Sequence, residues 1–148
     1  MPELHINLLA EPLWPLLNKF YRRHHSPMKA LKGGQLWVAK HSEIVAGLCL
    51  SPVVGGQWLT GLFVDPSLRG QGLAARLIRE AVAPLEGTVW LLCHPELEGF
   101  YQRLGFTQDT PLPQSLAERL VRYKRNKPMI AMGLDPKAKQ VALASRTG

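Results

Sequence analysis

The amino-acid sequence predicts an α/β domain with a mixed sheet flanked by helices, and three observations point there. Strand-like segments in the first third of the chain are joined by tight connections, as in an antiparallel set. A strand–helix–strand pattern follows over residues 58–93. Its second strand, Thr-Val-Trp-Leu-Leu-Cys at 88–93, is apolar throughout, as expected where a strand is covered on both faces and paired in parallel.

Residues 5–9 alternate apolar and polar side chains and read as the first strand. Glu11 and Pro12 open a helix, since a first turn tolerates a residue without an N–H. Leu13, Leu16, Leu17 and Phe20 form its apolar stripe, and the basic run Arg22-Arg23-His24-His25-Ser26-Pro27 ends it as a solvated loop. Two adjacent histidines with no cysteine or carboxylate beside them do not make a metal site. Residues 35–40 and 44–52 are strands joined by His41-Ser42-Glu43, and Gly55-Gly56 turns the chain into the strand at 58–64. After Asp65-Pro66 and a glycine-rich bend, a helix carries Leu73, Leu77, Ile78, Ala81 and Val82 on one face and crosses over to 88–93. His94-Pro95 breaks that strand. A short helix over 95–104 then presents Leu97, Phe100, Tyr101 and Leu104 on one face and ends at Gly105. Beyond Pro111-Leu112-Pro113, Ser115-Leu116-Ala117-Glu118 has the form of a capping box and starts a basic helix with Arg119, Arg122, Lys124 and Arg125. Residues 129–134 read as the last strand. Residues 1–134 thus form a single domain, and 135–148 a small, polar, basic and frayed tail.

The net charge of +7 and a pI near 9.8 suit anionic partners, nucleic acid among them. No apolar run is long enough to span a bilayer, and the N-terminus, with Glu3 and Glu11, lacks a secretion pattern. Cys49 and Cys93 lie in strand-like segments and read as reduced, packed thiols, so the expected compartment is the cytoplasm.

The most informative stretch is the bend before the helix at 73. Glycines at a helix mouth let backbone approach a ligand, and the free N–H groups of the first turn then face it. With the helix dipole and Arg69, the natural guest is a phosphate. A Walker A loop would need Gly-Lys-Ser/Thr, which is missing. Gly70-x-Gly72-x-x-Ala75 fits the dinucleotide fingerprint, but it does not sit directly at the end of a first strand, and no acid caps the next one. The pattern R-x-x-G-x-G/A fits better, as Arg69-Gly70-Gln71-Gly72-Leu73-Ala74 after Val64-Asp65-Pro66. It resembles the acetyl-CoA signature of the GNAT N-acetyltransferase superfamily. Phe100-Tyr101-Gln102-Arg103-Leu104-Gly105-Phe106 is similar to that family's second hallmark, in the right order and with a strand between.

The resemblance implies a GNAT-like sheet, acetyl-CoA as co-substrate between its two parallel strands, and direct attack by a primary amine in a ternary complex. Backbone groups of Arg69, Gly70, Gln71, Gly72, Leu73 and Ala74 would hold the pyrophosphate. Leu62, Phe63 and Val64 match the strand end that polarises the thioester, with Gly61 marking a bulge. Tyr101 takes the position of the acid that protonates the leaving thiolate; its other reading is an amphipathic core tyrosine. His94 stands where members often carry an Asn that contacts pantetheine, and it could contact cofactor or acceptor, or merely turn the chain. Residues 58–63 contain no carboxylate, Glu96 and Glu98 read as helix-surface charge, and the base is unassigned. The run at 22–27 occupies the family's variable acceptor region, which adds a lid to its readings. No metal or membrane partner is implied, and the chain would be a monomer or homodimer. The acceptor, small molecule or protein, is open, with a polycation disfavoured by the basic surface. Two other functions compete: a catalytically silent acyl-CoA sensor, and a nucleic-acid-binding protein using the basic helix and tail. That helix could instead be a solvated face or shape a pocket for an acceptor with a carboxylate or phosphate.

Overall fold

Apolar alternation sets the strand faces. In β2 (Gln35–Lys40), Leu36 and Val38 are buried while Gln35 and Trp37 beside them are not, the two-residue period of a pleated strand. The computed structural model describes residues 3–30 and 33–136. One six-stranded sheet runs in the order β1 (His5–Leu8), β2, β3 (Ile44–Val53), β4 (Gly56–Val64), β5 (Thr88–Cys93) and β6 (Ile130–Leu134). β1 pairs antiparallel with β2, β2 with β3, and β5 with β6, whereas β4 and β5 pair in parallel. The sheet is mixed, as the sequence predicts. Four helices flank it: α1 (Trp14–Arg23), α2 (Leu73–Val82), α3 (Glu98–Gln102) and α4 (Gln114–Lys124). No helix among the described residues is long and apolar enough to cross a membrane.

Two compact units make up the chain. Among the described residues, the first comprises 3–30, 33–51 and Leu59–Pro84. Its core gathers Leu9, Leu17, Phe20, Tyr21, Leu36, Val38, Ile44 and Cys49. Each fully buried Leu or Phe in such a cluster contributes roughly 1.5–3 kcal/mol. Gly47 lets α1 settle closely, because a Cβ there would lie 2.6 Å from the Leu17 side chain. α2 lies against β1 and β2, with Leu73, Leu77, Ile78, Ala81 and Val82 buried, the face that the sequence periodicity predicts.

Among the described residues, the second unit comprises Pro52–Trp58 and 85–136. The parallel ladder here runs Gly56↔Thr88, Gln57↔Val89, Trp58↔Trp90, and residues 59–64 of β4 and 91–93 of β5 lie beyond it. Gly56 is required by that pairing, since a Cβ would collide with the Thr88 backbone. Leu91, Phe106, Leu116 and Met132 are fully buried, and Trp90 donates its indole N–H to the Pro111 carbonyl at 2.9 Å.

Two local expectations need correction. The helix expected over 95–104 is a 3-10 turn, Pro95–Leu97, followed by the short α3. The capping box at 115–118 does not form: α4 starts two residues earlier than the box requires, with extended Pro113 as N-cap and no side-chain cap. The Pro113 carbonyl accepts from the N–H groups of Leu116 and Ala117, and Gln114 pairs with Glu118 instead. Of the expected tail, residues 137–148 lie outside the described residues.

Candidate active site

The first group of predicted site residues follows β4. Gly61 has φ +68°, a left-handed conformation that an L side chain adopts only under strain, so the strand kinks there as a bulge would. The buried Tyr21 hydroxyl donates to the Gly61 carbonyl at 2.6 Å, and a Cβ on Gly61 would come within 2.9 Å of that hydroxyl. Burial, with Cys49 adding to it, pushes the Tyr21 phenol above its ordinary range, so it keeps its proton and remains the donor.

After Leu62, Phe63 and Val64 the chain turns at Asp65. Its carboxylate accepts from the Ser67 N–H at 2.9 Å and the Ser67 hydroxyl at 2.8 Å. Those bonds, first the backbone one, hold the Asp65 carboxyl below the usual carboxylate range, with His24 and Arg23 helping. Arg69 is exposed, but its guanidinium folds back: Nε donates to the Val64 carbonyl at 3.1 Å and the group lies 5.0 Å from the Phe63 ring centroid. Arg69 therefore ties the bend to the end of β4 while adding positive charge. Gly70 and Gly72 both have φ +78°, and Gly72 is the N-cap of α2, with no side-chain cap. A Cβ at either glycine would meet nothing within 4 Å. Backbone conformation, then, requires the glycines, and open space lies over the helix mouth where uncapped N–H groups begin. Gln71 is exposed, Leu73 is buried as the anchor of the helix, and Ala74 is half-buried.

His24 is the residue that sequence reasoning placed wrongly. It is not a solvated loop residue. Its ring packs 5.0 Å from Phe20 and 5.7 Å from Phe63, and Nε2 lies 3.7 Å from the Asp65 carboxylate. The signal was its spacing of four from Phe20, which puts both on one face at the end of α1. Its partners forty residues on were not visible locally.

The second group lies after β5. His94 is exposed, and its Nδ1 accepts from the Glu96 N–H at 3.0 Å, capping the 3-10 turn as an Asn oxygen would. Tyr101 is 6% exposed and sits edge-on to Phe100 and Phe106, at 5.0 and 5.7 Å between centroids. Burial, then Cys93, pushes its phenol up. Burial, then Glu98, pushes the Cys93 thiol up to about 11, which leaves no thiolate for nucleophilic work at neutral pH. Both cysteines are buried, and they form no disulfide with each other. Glu98 accepts from Gln102 and Gln108, a structural use of its carboxylate, and Glu96 is exposed. A cleft of about 170 Å³, lined by Leu16, Lys19, Phe20, Arg23, Lys40, Ser42, Glu43 and Ile44, contains none of the predicted site residues.

Comparisons with known proteins agree with this architecture. A family profile described as "Acetyltransferase (GNAT) domain" matches residues 32–108, just over half of the chain. No curated protein sequence matches. Among solved structures, ElaA from Escherichia coli superposes with a TM-score of 0.64 at 18% identity, covering 91% of this chain and 100% of that one. An acyl-CoA N-acyltransferase from Pseudomonas aeruginosa gives 0.64 at 20% identity, with 89% and 99% covered. A GNAT family acetyltransferase from Brucella melitensis, in complex with acetyl-CoA, gives 0.54 at 20% identity, with 77% and 94% covered.

Proposed function

The chain belongs to the GNAT acetyltransferase family, and from that premise we propose that it moves an acetyl group from acetyl-CoA to a primary amine by direct attack. The observation that carries this reading is the mouth of α2: two glycines at φ +78°, an uncapped helix N-terminus, open space above them and Arg69 beside them. Backbone N–H groups there match the oxygens of a pyrophosphate in direction and charge. The complex of the Brucella melitensis relative with acetyl-CoA supports the same co-substrate here.

Each expected step then has residues in this chain. The loop from Arg69 to Ala74 holds the phosphates, with Arg69 supplying charge from its anchored position on Phe63. Leu62, Phe63 and Val64, set by the Gly61 kink and the Tyr21 hydrogen bond, present the strand end that receives the thioester. The thioester supplies an acyl carbon that an amine can attack and a sulfur that leaves as thiolate. Tyr101 gives its proton to that sulfur. Its raised pKa keeps the proton on the oxygen throughout the neutral range and makes it a reluctant acid, so transfer follows the developing negative charge on sulfur. His94 shapes the turn that leads to Tyr101 and keeps Nε2 for contact with the co-substrate. The attacking amine enters neutral or loses its proton to water, since β4 offers no carboxylate. Once the C–N bond has formed and the C–S bond has broken, the nitrogen gives a further proton to water, and water returns one to the Tyr101 oxygen.

Calorimetric titration with acetyl-CoA tests the reading. Saturable binding by the natural sequence, lost in the Arg69→Glu, Gly72→Asp double variant, is the expected result. A folded protein that binds no acetyl-CoA would overturn it and turn attention to nucleic acid and the exposed Arg122, Lys124 and Arg125.

A further inference from the structure

Helix α4 carries Arg119, Arg122 and Lys124, with Arg125 as its C-cap, and the last three of these are exposed. Arg119 is not. It is half-buried, its guanidinium lies over the Trp58 indole at 4.5 Å from the ring centroid, and Nη1 reaches the Tyr123 hydroxyl at 3.4 Å. Two N–H groups of this stack, Arg119 Nε and Trp58 Nε1, are shut off from water without a hydrogen-bond acceptor among the described residues. Every Asp and Glu of the sequence lies among those residues, and none forms an ion pair with Arg119.

A buried N–H of a charged group ordinarily has an acceptor, because an unmet charged donor is costly. The indole face offsets part of that cost but accepts nothing from the guanidinium edge. An anion with two oxygens would supply acceptors to Nε and to the Nη beside it, the shape a guanidinium fork grips best. One positive charge in the stack matches a carboxylate rather than a phosphate dianion. A slight turn of the guanidinium, giving up the long Tyr123 contact, would bring its edge to such a ligand.

We infer that Trp58, Arg119 and Tyr123 form a carboxylate-binding site, and that the acceptor amine carries this carboxylate. The second clause rests on the acetyltransferase reading above; Trp58 stands on β4, the strand that also bears Leu62, Phe63 and Val64. The acceptor class is therefore an amino acid or a related amino acid-like molecule, and not a polyamine.

The test titrates the full chain with glycine, β-alanine and γ-aminobutyrate, each against the alkylamine lacking the carboxylate, and with inorganic phosphate. Acetyl-CoA binding is measured on the same samples. At least one acid should bind about tenfold or more tighter than its amine, the worth of a charge-assisted pair. Arg119→Gln should erase that difference while acetyl-CoA binding stays intact, and the acid should quench tryptophan emission in the natural sequence but not in Trp58→Phe. If Arg119→Gln does not fold, Arg119→Lys keeps the charge without the fork and should weaken the preference several-fold. Equal binding of every acid and its amine, a preference unmoved by either Arg119 variant, or tighter binding of phosphate would each overturn the inference. Any of these with acetyl-CoA still bound defeats this inference alone, whereas loss of acetyl-CoA binding by the natural sequence defeats the acetyltransferase reading.

Discussion

The bend at the mouth of α2 keeps its chemistry on the backbone and in the open, whereas Tyr101 keeps its chemistry on one side chain behind others. Gly70 and Gly72 have nothing within 4 Å of where a side chain would begin. Tyr101 is 6% exposed, with Phe100 and Phe106 against its ring. A backbone site tolerates changes in side chain as long as φ, size and charge sign are kept. A side-chain site depends on one atom and on the packing that holds it. The two should therefore fail differently when altered.

The largest effect is expected at the bend. Arg69→Glu with Gly72→Asp places two negative charges where an anion binds and an L side chain at φ +78°. Acetyl-CoA affinity should fall by about 100-fold or more, as expected from losing several charge-assisted contacts at once. Gly72→Ala alone should leave weakened but measurable binding, because the space is open and only strain, roughly 1–2 kcal/mol, stands against it. Equal loss in both variants would mean that shape rather than charge governs the loop.

Tyr101→Phe should behave in the opposite way. The ring stays in its aromatic cluster, so folding and acetyl-CoA affinity hold, while thiol release with an accepted amine slows by about 10² or more, the usual worth of a general acid. Unchanged turnover would make Tyr101 a core residue only.

A third test addresses what supports the bend from behind. Tyr21→Phe leaves the Gly61 carbonyl without its 2.6 Å partner and should cost about 1–3 kcal/mol in denaturant unfolding. If this hydrogen bond also sets the strand end, acetyl-CoA binding should weaken beyond what the lost stability explains.

The contrast also decides what could be read from sequence. The bend was legible because a positive φ is a local demand that glycine meets, and its spacing survives without neighbours. The apolar run of β5 was legible for the same reason, since burial on both faces erases alternation. His24 was not, because Phe63 and Asp65 reach it only after folding. Ser115 and Glu118 misled because the spacing of a capping box is necessary and not sufficient: Pro113, fixed near φ −63°, already ends the extended chain and takes the N-cap. Arg119 hid among four cations of one basic helix, and its stack on Trp58 depends on a strand sixty residues earlier.

The smallest effect expected is in stability against pH, and it has an alkaline and an acid limb. On the alkaline side, Cys93 is held up to about 11 from 9.0, and the Tyr101 and Tyr21 phenols are also raised by burial. The unfolded chain releases these protons first, so stability is complete below about pH 9, falls as pH rises beyond the unfolded values, and this contribution is gone once Cys93 titrates in the fold. Cys93→Ala should flatten that decline by on the order of 1 kcal/mol at pH 11, after allowance for solvent screening. On the acid side the bend responds alone: the Asp65 carboxyl is depressed by its Ser67 bonds, so its contribution is present above the unfolded value near 4 and is lost as pH falls through the lower folded one. Thermal melts from pH 3 to 11 on the natural sequence, Asp65→Asn and Cys93→Ala measure both limbs. Each variant should flatten its own limb and leave the slope of the other unchanged, and a variant that moved both slopes would show that its substitution also perturbs the groups titrating on the other limb.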